Sequence, residues 1–164
     1  MFTLFVSGAI LIVIFSAIAG IHFFWAAGGT WGISAALPAR APAGADTRSD
    51  QSSAKRDRLL FSPGRLTTVA VASVFLAGAT GCAALLGVPE LRRWQWGLLS
   101  PTVGAYAGAI LFLLRAIGEF QYVGITKRIR GTDFAWWDDR LFTPLCFLIS
   151  GCLYLFATAL TAIE

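Results

Sequence analysis

The chain has 164 residues, 57% of them hydrophobic and 13% charged, with a net charge of +4. Soluble domains carry about 25% charged residues, so a mean hydropathy of +0.70 with long charge-free runs excludes an ordinary water-soluble globule. The positive charges lie in loops between apolar runs, which argues against nucleic acid as a partner and for a role in membrane topology and contact with anionic lipid.

A bilayer core takes roughly 20 apolar residues per helix, and four stretches qualify, at about 2–27, 66–88, 97–118 and 141–163. The expected fold is all-α, a four-transmembrane-helix bundle forming one membrane domain over 1–164. The first run exceeds a signal-peptide core of about 7–15 residues and has no positive charge ahead of it, so it reads as a retained helix. After it, "GGTWGISAALP" carries two glycines, a tryptophan and a proline. These predict a turn or short re-entrant piece. The stretch at about 39–62 is rich in Ala, Pro, Ser, Asp and Arg, and its composition predicts a flexible cytoplasmic linker.

Loop one carries Arg40, Arg48, Lys55, Arg56, Arg58 and Arg65, loop three carries Lys127, Arg128, Arg130 and Arg140, and loop two only Arg92 and Arg93. Ten basic residues against two place loops one and three in the cytoplasm and both termini outside. Trp25, Trp31, Trp94, Trp96, Trp136 and Trp137 fall near the ends of runs, as an aromatic belt does. In loop three the aromatics mix with Lys127, Arg128 and Arg130, which suits a segment lying at lipid headgroups.

The third run contains Gly104 and Gly108 in G-x-x-x-G spacing, which permits close helix packing within the chain or against another chain. Pro101 falls in its first turn. In the fourth run, Thr143-Pro144 suits an N-cap and first helical position. Asp138 and Asp139 would then precede a helix N-terminus, where negative charge is favoured. Cys82, Cys146 and Cys152 form no C-x-x-C pair and read as buried apolar thiols.

Chemistry concentrates in "LLRAIGEF" and "GIHFFWAAGGTWG". Arg115 and Glu119 are four apart and share a helix face. Their order is the less favourable one, and Glu119 sits at a helix C-terminus, where the dipole opposes it. Snorkelling toward phosphate and water is the simpler account. The sharper one gives Glu119 another partner. His22, the single histidine, lies near the same membrane face, with Trp25 and Gly29 at helical spacing. Ionisable groups at membrane depth face the bundle interior or a wet cavity. The expectation is therefore a polar ligand-binding pocket of His22, Trp25, Arg115 and Glu119, joined by Asp138 or Asp139. Against it stands a His22 that is only a hydrogen-bonded core histidine.

The blocks "HFFWAAGGTWG" through "ALP" and "RAIGEFQYVGITKRIRGTDFAWWDDRLFTPLC" resemble a bacterial domain-of-unknown-function family, DUF3995, of small four-helix integral-membrane proteins. The resemblance implies four spans in a bacterial inner membrane. It makes His22, Trp25, Gly28, Gly29, Arg115, Gly118 and Glu119 the signature residues here. It implies no activity.

The functional expectation is a non-catalytic accessory or assembly subunit of a larger membrane complex, or a small-ligand binder. The alternative is an enzyme, an isomerase or hydratase acting on a lipophilic isoprenoid-like molecule, with His22 and Glu119 as acid and base and Arg115 holding an anionic group. No cofactor is expected. One histidine excludes bis-histidine haem within the chain, leaving His22 as a conceivable axial ligand of haem or chlorin, and zinc lacks its three or four ligands. A transporter would need a polar path, and the second and fourth runs carry no charge at depth.

Overall fold

A computed structural model describes residues 1–37, 64–92, 100–129 and 132–162. The linker at about 39–62, Arg93, Trp94, Trp96, Arg130 and the first residues of the third run lie outside the described residues.

Helix α1 spans Phe2–Ala26 and carries no charged residue. Its buried positions Leu4, Gly8, Leu11, Phe15 and Ala19 recur at three- and four-residue steps, so they form one stripe. The opposite face is also apolar, with Val13 69% exposed. A short turn, α2, follows at Ile33–Ala36. Helix α3 covers Arg65–Gly87, and a single turn, α4, covers Pro89–Arg92. Arg92 is buried and its guanidinium donates to the carbonyls of Leu85 and Leu86, the latter at 2.7 Å. Those carbonyls belong to the last turn of α3, where a cation also opposes the negative end of the helix dipole.

Helix α5 runs Pro101–Ile117, with Pro101 in the first turn and Ser100 as N-cap, its hydroxyl accepting from the Val103 N–H at 3.1 Å. Helix α6, Asp133–Trp137, is capped by Thr132, whose hydroxyl accepts from the Ala135 N–H at 3.1 Å. It leads without a break into a π-helical turn, Asp138–Phe142, and then into α7, Thr143–Thr161. Thr143 therefore sits within a continuing helix and is not its N-cap, contrary to the expectation from Thr143-Pro144. Pro144 has no N–H, and its ring would press on the Arg140 carbonyl in a regular helix. The wide turn just before it accommodates both defects.

Three helical runs, Phe2–Ala26, Arg65–Gly87 and Asp133–Thr161, are long and apolar enough to cross a membrane, while α5 is apolar but has only 17 residues. Among the described residues there is no strand.

The long helices are antiparallel in sequence order. Helix α1 packs chiefly on α3 and also on α7, and α7 packs on α5. Rings of Phe15, Phe75 and Phe112 join α1, α3 and α5, with centroids 5.5–6.2 Å apart. The core is narrow and built from small residues, including Ala79, Ala105, Ala109, Cys82, Cys152 and Ala157, between larger Leu4, Leu11, Ile149 and Phe156. All three cysteines are free and buried. Large apolar side chains cover the outside instead, Leu66 at 87% and Leu111 at 65% exposure among them. Soluble monomers rarely expose contiguous apolar surface of this extent. Small interfacial residues with a greasy exterior are what lipid-embedded helices require.

Of the two glycines in G-x-x-x-G, only Gly108 is closely approached: a Cβ there would lie 3.1 Å from Leu153 Cδ1, whereas one on Gly104 meets nothing within 4 Å. One turn along, the Ser150 hydroxyl donates to the Ala109 carbonyl at 2.8 Å. Gly104→Leu is expected to leave thermal stability unchanged. Gly108→Leu should overpack the α5–α7 contact and cost about 1–3 kcal/mol, read by thermal unfolding in detergent.

Candidate functional site

The ends of α1 and α5 and the start of the α6–α7 rod meet at one end of the bundle, where α2 packs on α6. Helix α5 stops at Ile117 because Gly118 follows with φ +94°, outside the helical region. A Cβ on Gly118 would lie 1.8 Å from the Val123 carbonyl oxygen, and one on Gly124, at φ +80°, would lie 2.5 Å from that of Ile117. Only glycine permits this approach. The backbone from 118 to 124 folds back across the end of α5. The N–H groups of Ile125 and Thr126 then donate to Ala116 and Ile117 at 3.0 and 3.2 Å. The Thr126 hydroxyl adds a bond to Ile117 at 2.7 Å. Helix-end carbonyls that would otherwise lack partners are thus satisfied.

The fold-back delivers Lys127 to the interior. Its side chain and that of Asp138 are both 0% exposed, and they pair at 2.9 Å. Asp138 accepts from four donors. Arg115 Nη2 reaches Oδ1 at 3.0 Å, while Oδ2 receives the Gly124 N–H at 2.9 Å, Lys127 Nζ and the Thr143 hydroxyl at 3.2 Å. Lys127 also bonds Asp139. Two cations and two anions form a neutral cluster joining α5, the fold-back and the π-turn. Desolvating such ions costs several kcal/mol each, and only complete pairing with added hydrogen bonds offsets it. Asp138 meets that condition. Arg115 does not meet it fully, for Nη1 is buried with no hydrogen-bond partner among the described residues.

Of the residues singled out from the sequence, Arg115 and Asp138 are in direct contact, and Asp139 joins them through Lys127. Glu119 is exposed and enters none of the ion pairs among the described residues. It follows the helix break at Gly118, so four-residue spacing no longer sets it one turn above Arg115.

His22 is half-buried. Its Nδ1 lies 2.8 Å from the Ile18 carbonyl oxygen, one turn back, so Nδ1–H donates to that carbonyl. The ring contacts Trp25 and Phe75, at 5.1 and 6.1 Å between centroids. Among the described residues no hydrogen bond links it to Glu119 or Arg115. Trp25 donates its indole N–H to the Trp31 carbonyl at 2.8 Å, pinning the turn after α1. Gly28 and Gly32 adopt φ +103° and +77° in that turn. Among the described residues no three His, Cys, Asp or Glu side chains gather where a metal ion could sit.

Lys127 was hidden in the sequence by the basic, aromatic wording of loop three. The signal that could have exposed it is the pair Gly118 and Gly124, six residues apart, which lets the chain double back. Arg140, from the same loop, stacks over Trp136 at 4.1 Å and stays exposed.

Beside the cluster, Leu114, Arg115, Gly118, Glu119 and Val123 line an open hollow of about 320 Å³. A second hollow of about 390 Å³, between α5 and α7, is almost wholly apolar and includes Tyr106, Ile110 and Tyr154.

The fold and site define a small all-helical protein with apolar rods, three of them of membrane-crossing length, in which a charge cluster ties the end of α5 to the start of the α6–α7 rod. The chain belongs to the family described as Protein of unknown function (DUF3995), whose sequence model matches residues 15–153. No curated protein and no solved structure matches it.

Proposed function

We propose that the chain is a four-span protein of a bacterial inner membrane, with both termini outside, serving as a non-catalytic accessory or ligand-binding subunit. The observation that carries this reading is the saturation of Asp138: four donors already occupy the one buried carboxylate among the described residues. A catalytic carboxylate needs a free oxygen within hydrogen-bond reach of its substrate. Asp138 has none to offer, and the cluster's evident work is to hold three segments together. The exposed apolar exterior supports burial in lipid, and α5 supports a fourth crossing at a helix length of roughly 25 Å. The charge bias of the loops supports the orientation.

Purification from native membranes in mild detergent tests the subunit reading. Comigration with a larger complex is the expected result, and a lone monomer at every detergent concentration contradicts it. An absorbance scan of the same sample checks for haem or chlorin. Reporter fusions at Met1 and Glu164 are expected to report the outside; a reporter active in the cytoplasm at either end rejects the topology.

A further inference from the structure

Arg115 and Glu119 line the same hollow, yet they are not paired with each other. Each is incomplete. Arg115 Nη2 is held by Asp138, while Nη1 has no acceptor among the described residues. Glu119 enters none of the ion pairs among the described residues. Orphaned buried donors are rare in folded proteins and each calls for an occupant. A simple anion satisfies Arg115 but is repelled by Glu119, and a simple cation meets the reverse. A ligand bearing both charges satisfies the two together. Leu114 and Val123 add apolar wall, so the ligand is amphiphilic. A volume of about 320 Å³ suits a headgroup with the first carbons of its chains.

We propose that this hollow seats the headgroup of a zwitterionic phospholipid with a primary ammonium, phosphatidylethanolamine in chemical class. Its phosphate oxygen accepts from Arg115, and its ammonium donates to Glu119. Arg115 is suited to phosphate because its planar fork presents donors on two edges. A choline headgroup lacks the N–H that Glu119 requires, and a glycerol headgroup lacks the cation. Small side-chain adjustments on binding are ordinary, and Nη1 needs one to meet the ligand. The hollow lies at the end of α5, which is headgroup level on the four-span reading, and the inference rests on that reading.

The test uses the full chain, delipidated in non-ionic detergent. Short-chain phosphatidylethanolamine, phosphatidylcholine, phosphatidylglycerol and inorganic phosphate are titrated in turn, and adducts are read by native mass spectrometry. Phosphatidylethanolamine should be retained at about ten-fold lower concentration than the others, the size of effect that one charge-assisted hydrogen bond produces. Glu119→Gln should abolish its advantage over phosphatidylglycerol while leaving Tm unchanged, since Glu119 is exposed and makes no ion pair among the described residues. Equal retention of the ethanolamine and choline lipids overturns the proposal. So does inorganic phosphate binding as tightly as the lipid, or a preference that survives Glu119→Gln. Reporter fusions showing that α5 does not cross the membrane remove the four-span reading itself, whereas a missing lipid preference removes only this inference.

Discussion

Asp138→Ala is expected to destabilise the protein by at least about 3–5 kcal/mol, the usual loss when one partner of a buried ion pair is removed. The variant strands Lys127, whose side chain is 0% exposed, with only the half-open Asp139 for company. It also takes the acceptor from Arg115, Thr143 and the Gly124 N–H. Whole domains are stable by only about 5–15 kcal/mol, so most of the protein should be lost from the membrane fraction. The double variant Lys127→Met, Asp138→Ala should recover part of the deficit, because the stranded ammonium is gone. Thermal unfolding of both, and of Lys127→Met alone, in the same detergent gives the coupling. A single variant within about 1 kcal/mol of wild type, well under the cost of a broken buried pair, would show that the cluster does not hold the bundle end.

The second large effect concerns Gly118 and Gly124. Alanine at Gly118 brings a Cβ to 1.8 Å from the Val123 oxygen, at a φ of +94°. Backbone cannot yield that distance without unfolding the fold-back. The penalty for a side chain in this glycine-only backbone region is about 1–3 kcal/mol, and the contact adds more. Gly124→Ala meets two carbonyls at 2.5 and 2.6 Å and should behave alike. Both variants release Lys127 and uncap Ala116 and Ile117, so each should cost at least about 3 kcal/mol when clash and lost bonds combine. Limited proteolysis is expected to cut between residues 118 and 127 in these variants and not in Gly104→Ala, where a Cβ meets nothing. Equal protease resistance in all three would refute the assigned role of the two glycines.

The helices were legible because long apolar runs leave the chain few other choices. The expected first run, at about 2–27, shares its start with Phe2–Ala26 and ends one residue later, and the second, at about 66–88, is shifted by one residue from Arg65–Gly87. The fourth run was harder. Thr143-Pro144 resembles a helix start, yet Thr132 had already capped the rod eleven residues earlier, and a π-turn absorbs the proline. The site was half legible. Charge in an apolar setting must be paired, and that rule leads from Arg115 to Asp138. Helical spacing then misleads, because Gly118 ends the helix before Glu119. Lys127 was out of reach of periodicity, since its position depends on a backbone reversal over six residues. The histidine's setting also depends on tertiary structure: Phe75, from another helix, supplies one of its two ring neighbours.

Helix α5 has 17 residues, while α1 has 25 and α3 has 23. On the four-span reading the apolar belt is therefore lower on one flank, by roughly 9–12 Å at the usual rise per residue. Acyl chains on that flank must shorten or tilt to meet it, at fractions of a kcal/mol per Å. The molecule should then favour thin bilayers, and lengthening the lipid tails from fourteen to about twenty carbons should drive it to cluster along its short side.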